Sequence, residues 1–354
     1  MSATIEVTRR CPLKCLHCYN NLALGDQGAL LKELTCAEHC RILDEITEAG
    51  CFWLLYTGGE IFARKDFLEI YTYAKQKGLL ISLFTNGIFI TPEIADYLSE
   101  WRPFSIEITL YGRTRATYER VTGVSGSYAK CMRGIELLVE RGLPLSLKTM
   151  VITTNQEELW SMKDYVEKDL GLEFRFDALI NPRIDCSQNP LGVRLSPREV
   201  VELDRKDPKR MAEWGRFCEK FHGPVHAPGQ IDELYHCGGG TNSFAIDPQG
   251  MLRVCALSCH AAYDLRTGSF RDGWEGFLSN VRQQKITRQT KCTSCEIMAL
   301  CGMCPANAQL ENKDAEEPVD FLCQVAHLRA DALGLQLKQH GECEYCKSDQ
   351  PAES

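Results

Sequence analysis

The 354-residue chain has no run approaching the roughly 20 consecutive apolar residues that cross a bilayer, so no membrane-spanning helix is expected. It lacks the apolar stretch of a signal peptide: the first eleven residues, MSATIEVTRRC, are short and polar. A cytoplasmic location follows as the expectation. There is no excess of basic residues either. Lys and Arg number 40 against 48 Asp and Glu, for a net charge of −8, which argues against general nucleic-acid binding. Tandem repeats and low-complexity tracts are absent, and the hydrophobic (44%) and charged (25%) fractions are those of an ordinary globular protein. Such a length suits two domains, or one barrel with an appended module.

What the chain has in excess is cysteine: nineteen residues, an odd count, with no export signal. Disulfide frameworks belong mainly to small secreted chains, whereas clustered cysteines in a reducing compartment more often ligate metal. The clusters lie in two places, one near the N-terminus and one beyond residue 236.

Between them the sequence alternates strand-like and helix-like runs. Strands are expected over residues 3–7, 51–56, 79–85, 104–110, 144–152 and 172–180. Thr35 with Glu38 forms a capping box that opens a helix closed by Gly50, and helices follow over 67–77, 91–100, 127–141 and 156–170. About six βα units over residues 1–185 imply an α/β fold with a parallel sheet, open or curled into a partial (β/α)6 barrel, with functional loops at the C-terminal strand ends. Residues 186–235 read as a bridging helical region, with a helix starting at Ser196 and a Pro/Gly/His-rich linker over 222–229. Residues 236–325 form a cysteine-rich module that needs metal or cross-links to hold its shape. Residues 326–354 are a helix to about Leu337 and a tail with Cys343 and Cys346.

Cys11, Cys15 and Cys18 place three thiols within eight residues. Three thiolates can hold three irons of a 4Fe–4S cube and leave the fourth iron open to a small-molecule chelate. A zinc site completed by His17 or a distant ligand is the bland alternative. Gly58-Gly59-Glu60 follows the next buried strand. Ser105, Glu107 and Thr109 alternate along a later strand and so share a face.

The CxxxCxxC spacing resembles the signature of the radical SAM superfamily. That resemblance implies that Cys11, Cys15 and Cys18 carry a 4Fe–4S cluster whose open iron binds S-adenosylmethionine (SAM). Reductive cleavage of SAM would then yield a 5′-deoxyadenosyl radical that abstracts hydrogen from the substrate. It implies cofactor contacts from His17, beside the adenine, and from Gly58, Gly59 and Glu60, which match the family's GGE segment. Ser105, Glu107, Thr109, Arg120 and Lys148 are further carried-over candidates; Arg120 and Lys148 read equally well as surface charges. The stretch from Tyr118 to Tyr128, with Lys148 and Asn155, resembles peptide-modifying members.

Downstream, Cys237, Gly250 and Cys255 are followed by Cys292, Cys295, Cys301 and Cys304, then Cys323. This resembles the SPASM domain, a module that binds auxiliary 4Fe–4S clusters, with one departure: two residues rather than three separate Cys301 from Cys304. The resemblance implies one auxiliary cluster on Cys292, Cys295, Cys301 and Cys323, and another on Cys237, Cys255 and Cys304. The second lacks an obvious fourth ligand, because Ile231 falls near the usual cysteine; Cys259 is the nearest candidate, ahead of Cys218, Cys343 and Cys346. Paired CxxC motifs only five residues apart are too close for an ordinary zinc ribbon. The implied activity is hydrogen abstraction from a ribosomally made peptide or protein, giving a C–C, C–S or C–O cross-link or an oxidised residue. Formylglycine formation in a sulfatase, chemistry on a cofactor precursor, a non-catalytic iron–sulfur carrier and a zinc scaffold are the alternatives. The implied partners are the peptide, a reductant such as flavodoxin or ferredoxin, and a separate leader-recognition protein, since the first strand begins almost at Met1. If all three clusters form, anaerobically reconstituted protein is expected to hold about 12 irons by iron analysis, four per cluster.

Overall fold

The computed structural model describes residues 1–221, 233–259 and 261–346. The expected linker over 222–229 and the position of Ile231 lie outside the described residues. Six parallel strands carry the fold: β1 (Ser2–Thr8), β2 (Trp53–Gly58), β3 (Leu80–Thr85), β4 (Ser105–Thr109), β5 (Leu145–Met150) and β6 (Phe174–Asp177), paired in chain order. Their connections carry helices α1 (Cys36–Glu48), α2 (Phe67–Gln76), α3 (Pro92–Glu100), α4 (Arg115–Thr122) and α5 (Ser127–Glu140), then α6 (Leu159–Asp164). This is the expected α/β arrangement, a parallel sheet built from βα units.

Local chemistry accounts for the element ends. Thr35 caps α1 through a capping box with Glu38, and Thr91 caps α3, which has Pro92 in its first turn. The sheet buries Ile5, Val7, Leu54, Tyr56, Ile81, Leu83, Ile106, Ile108 and Leu147 against helix residues such as Ile42, Leu43, Ile70 and Leu138. At roughly 25 cal/mol per Å² of apolar surface removed from water, such burial is the main favourable term in folding.

Three features depart from expectation. Helix α4 was not foreseen; Thr114 caps it and Gly123, in the left-handed region at φ +66°, ends it. The run expected as one helix over 156–170 is a 3-10 turn, then α6, then a wider turn over Tyr165–Asp169. The third departure is a sheet extension. After α7 (Pro197–Lys206) and α8 (Pro208–Phe221), strand β7 (Ser243–Ile246) pairs in parallel with β1, and β8 (Met251–Arg253) and β9 (Tyr263–Asp264) continue antiparallel. Among the described residues the sheet therefore has nine strands, and the cysteine-rich region is hydrogen-bonded to its first one. Helices α9 (Pro305–Asn312) and α10 (Asp320–Ala332) complete that region. No described helix is long and apolar enough to cross a membrane.

The ends of β1 and β2 touch through bare backbone. A Cβ on Gly59 would lie 2.5 Å from the Arg9 carbonyl oxygen and 2.6 Å from that of Arg10. A Cβ on Gly58, at φ +140°, would lie 2.0 Å from the carbonyl oxygen of Thr8. The amides of Gly59 and Glu60 donate to the carbonyls of Thr8 (2.7 Å) and Arg10 (3.1 Å). Gly59→Ala is expected to lower the stability of the anaerobic protein by about 1–3 kcal/mol in denaturant unfolding, because rigid backbone must move. Gly215→Ala, in α8 with open space around it, is expected to leave stability unchanged or slightly higher.

Candidate active site

Past β1 the chain turns into the loop that carries Cys11, Cys15 and Cys18. Its first residues, Arg10 and Cys11, pair in parallel with Leu22 and Ala23. The Lys14 and Leu16 amides donate to the carbonyls of Thr122 and Val121 at the end of α4 (2.8 and 3.1 Å). Below the loop, Arg10 makes two bonds to Glu33 (2.9 and 3.0 Å), whose carboxylate also accepts from Thr8. Arg64 donates to the carbonyls of Val7 (3.2 Å) and Leu34 (2.6 Å) and pairs with Asp66 (2.8 Å). Arg183 clamps the other end, donating to the Cys18 carbonyl (3.1 Å) and to Asn21 (2.9 Å).

The three thiols open into one cavity of about 460 Å³ at the C-terminal ends of the strands, within the size of ordinary ligand pockets. Burial pushes the Cys11 thiol up to about 12 and raises Cys15 and Cys18 as well; neighbouring thiolates add to the rise at Cys11 and Cys15. Three converging buried thiols are costly to ionise alone and favourable once a metal cation compensates them. Polar groups face them: Asn86 donates to the Cys11 sulfur (3.6 Å), and Tyr111 hydrogen-bonds to Cys15. His17 lies against Tyr111 with ring centroids 5.1 Å apart; it is 9% exposed, and its Nδ1 has no protein partner among the described residues. That donor set and the unpartnered imidazole nitrogen fit a bound cluster with a polar ligand beside it.

Of the other candidates, Gly58, Gly59, Thr109 and Lys148 line the cavity. Lys148 Nζ sits 3.3 Å over the Phe84 ring and 3.7 Å from Glu107, and burial lowers its pKa. Glu107 also meets Arg175 at 3.3 Å, and Ser105 bonds to Ser82 at 2.8 Å near the start of the strand, so neither lines the cavity. Arg120 is exposed on α4, outside it. Glu60 is also outside the lining. Its buried carboxylate accepts from Thr85 Oγ1 (2.7 Å) and from the amides of Asn86 (2.8 Å) and Phe62 (3.2 Å), so it holds Asn86 toward Cys11. The two glycines answer to the backbone of Thr8–Arg10 as well as to the cavity.

Sequence reasoning missed Asn20, Asn21, Tyr111, Asp177, Asn181, Ala256 and Leu257, which also line the cavity. Tyr111, Asp177 and Asn181 lie at or just past strand ends, where the fold rule alone could have placed them. Ala256 and Leu257 had no sequence signal beyond adjacency to Cys255.

The downstream cysteines form two groups. Cys292, Cys295, Cys301 and Cys323 line one small cavity. Cys237, Cys255 and Cys304 are mutual electrostatic neighbours, with the Tyr235 phenol beside all three. The short Cys301–Cys304 spacing is accommodated by Gly302, left-handed at φ +71°, which ends one helical turn before Cys304 caps α9. Cys259 sits beside Cys186, and Cys343 and Cys346 sit beyond Cys323.

The radical SAM family model matches residues 5–166. The PqqA peptide cyclase of Granulibacter bethesdensis is 31% identical over 364 aligned positions, covering 94% of this chain and 90% of that protein. The chain belongs to the radical SAM superfamily. As a radical SAM protein it is expected to use a 4Fe–4S cluster and SAM. It is also 25% identical to the AdoMet-dependent heme synthase of Methanosarcina barkeri, over 88% of this chain and 94% of that one. Among solved structures, SuiB of Streptococcus suis bound to SAM superposes with a TM-score of 0.68 at 15% identity, covering 91% of this chain and 74% of that one. At that identity the likeness speaks for the fold, and it agrees with the partial barrel.

Burial raises Glu60 from the usual carboxylate range to about 7, against the three hydrogen bonds that favour its charged form. With the folded value above the unfolded one, the folded state binds more protons between about 4.5 and about 7, and stability falls as pH rises through that window. Wild type is therefore expected to lose stability relative to Glu60→Gln on going from pH 5 to pH 7, in paired denaturant titrations.

Proposed function

We propose that this radical SAM protein modifies a ribosomally made peptide or protein, abstracting hydrogen to set up a cross-link or an oxidised residue. The single observation that carries the reading is the shared cavity. The Cys11–Cys15–Cys18 loop forms one wall, and Ala256 and Leu257, next to Cys255, form another. Substrate held there meets both the SAM end of the site and the cysteine-rich module. The similarity to the PqqA peptide cyclase supports a peptide substrate, as does the fold likeness to SuiB, which has been solved with its precursor peptide SuiA.

In this reading Cys11, Cys15 and Cys18 hold a 4Fe–4S cluster, and His17, Gly58, Gly59, Thr109 and Lys148 border the SAM. When bound, the cluster supplies the electron that cleaves SAM and so starts the radical chemistry. The chain's own residues position and enclose. Asn86 donates a hydrogen bond to Cys11, and Glu60 keeps Asn86 in place. Arg183 fixes the exit of the loop. Lys148, tied to Glu107, sets a cation beside the cavity. Cys292, Cys295, Cys301 and Cys323 hold one auxiliary cluster, and Cys237, Cys255 and Cys304 a second. Cys259, the nearest candidate for its fourth ligand, has Cys186 as its thiol neighbour, while the Tyr235 phenol stands beside the three thiols, which favours a non-cysteine ligand or substrate at the fourth position. A flavodoxin or ferredoxin supplies electrons.

The similarity to the heme synthase favours a second reading, chemistry on a cofactor precursor. Mass spectrometry of reactions with short peptides encoded near the gene, against reactions with tetrapyrroles, separates the two. Replacing Cys11, Cys15 and Cys18 by Ala is expected to abolish 5′-deoxyadenosine release in chromatographic assays. Replacing Cys292 and Cys295 by Ala is expected to leave measurable SAM cleavage while product formation is lost. Full product from that variant would refute the auxiliary role.

A further inference from the structure

Beyond these three thiol groups, a fourth donor set closes the described chain. His327, His340, Cys343 and Cys346 bring one ligand atom each within 4.8 Å of one another. Cys346 Sγ lies 3.3 Å from His327 Nε2 and 3.2 Å from His340 Nδ1, and Cys343 Sγ lies 3.7 Å from His327 Nε2. A tetrahedral zinc with Zn–S near 2.3 Å and Zn–N near 2.0 Å places its sulfur and nitrogen donors about 3.5 Å apart. These three sulfur–nitrogen spacings bracket that value.

The surroundings are those of a ligand set. His327 Nδ1 is 2.8 Å from the Cys323 carbonyl oxygen, the distance of a donated hydrogen bond. That bond fixes the tautomer and leaves the Nε2 lone pair facing both cysteines, as outer partners do for metal-bound histidines. Cys343 is fully buried and His340 is 5% exposed. Two thiolates and two neutral imidazoles around Zn²⁺ sum to zero charge, which suits a buried position; binding releases the two thiol protons.

The four residues come from two segments. His327 is on α10, one turn after Cys323, and the other three lie on the turn over 340–346. That turn is already fitted to the module. The Cys343 amide donates to the His340 carbonyl (3.2 Å), and Lys291 Nζ meets Glu344 at 2.9 Å. The Tyr345 hydroxyl donates to Asp320 at 2.7 Å. Gly341, left-handed at φ +49°, lets the turn approach Lys291, whose Cα would be 3.2 Å from an added Cβ.

We infer that His327, His340, Cys343 and Cys346 form a structural zinc site that fastens the C-terminal turn across the cavity of Cys292, Cys295, Cys301 and Cys323. The zinc is separate from the iron–sulfur sites. Cys323 Sγ, 3.9 Å from Cys343 Sγ, completes the four thiols of the neighbouring cavity and is assigned to that group; His327 and His340 border the same cavity, so the zinc would sit against its wall. Two CxxC pairs thus face each other: Cys292 with Cys295 on one side, Cys343 with Cys346 on the other.

The test uses the full chain, produced with iron and zinc both supplied, and metal analysis by plasma mass spectrometry. About one zinc per chain is expected beside the iron. His340→Ala and Cys346→Ser are expected to lose that zinc and keep the parent's iron content. Zinc retained by both variants, or iron lost together with it, overturns the assignment, the second outcome making Cys343 or Cys346 a cluster ligand. X-ray absorption at the zinc edge of the wild type needs no variant to fold. Two sulfur and two nitrogen neighbours support the site; four sulfurs, or no bound zinc after exposure to Zn²⁺ alone, refute it.

Discussion

The site depends on a contact that has no side chains in it. The turn after β2 lies on the carbonyls of Thr8, Arg9 and Arg10 at distances that only glycine permits. This fixes where β1 ends and therefore where the loop bearing Cys11 begins. Around it the buried polar groups form one connected set. Arg10 and Thr8 meet Glu33, Arg64 holds the carbonyls of Val7 and Leu34, and Glu60 turns inward to Thr85 and Asn86. Each is satisfied by the backbone or by another member, which is the condition under which burying charge is tolerable.

The cavity shows how a βα framework becomes a reaction vessel. Successive strand ends contribute Thr57 and Gly58, then Thr85 and Asn86, then Thr109 and Tyr111, then Lys148 and Met150, then Asp177. The strands set spacing, and the residues beyond them set chemistry. The cysteine-rich module closes the vessel with Ala256 and Leu257, at the residue next to one of its own thiols.

Much of this was legible in the sequence. Hydrophobic runs and capping residues located the six parallel strands and most of the helices, because period and caps are local signals. The three-thiol loop and its place at a strand end were legible for the same reason. What was not legible is long-range. Nothing near Glu60 in the chain says that its carboxylate bonds to residues 85 and 86 and not to a ligand. Nothing near Ser243 says that it pairs with Ser2. Helix α4 was missed because its run of Arg, Thr and Glu is weakly apolar, and its burial comes from long-range contacts: Val121 packs with Ile152 and Ile180, and Tyr118 lies against Tyr111 and Tyr128. His327 sits unremarked in an ordinary helix until the fold carries Cys343 and Cys346 to it.

The pairing of Ser243–Ile246 with Ser2–Thr8 has a consequence for biosynthesis. During translation the outer edge of β1 stays without its partner until Ser243–Ile246 has left the ribosome. For that interval the nascent chain presents an unsatisfied strand edge, the feature through which chains aggregate. The first strand of the sheet is thus completed by a segment made long after it.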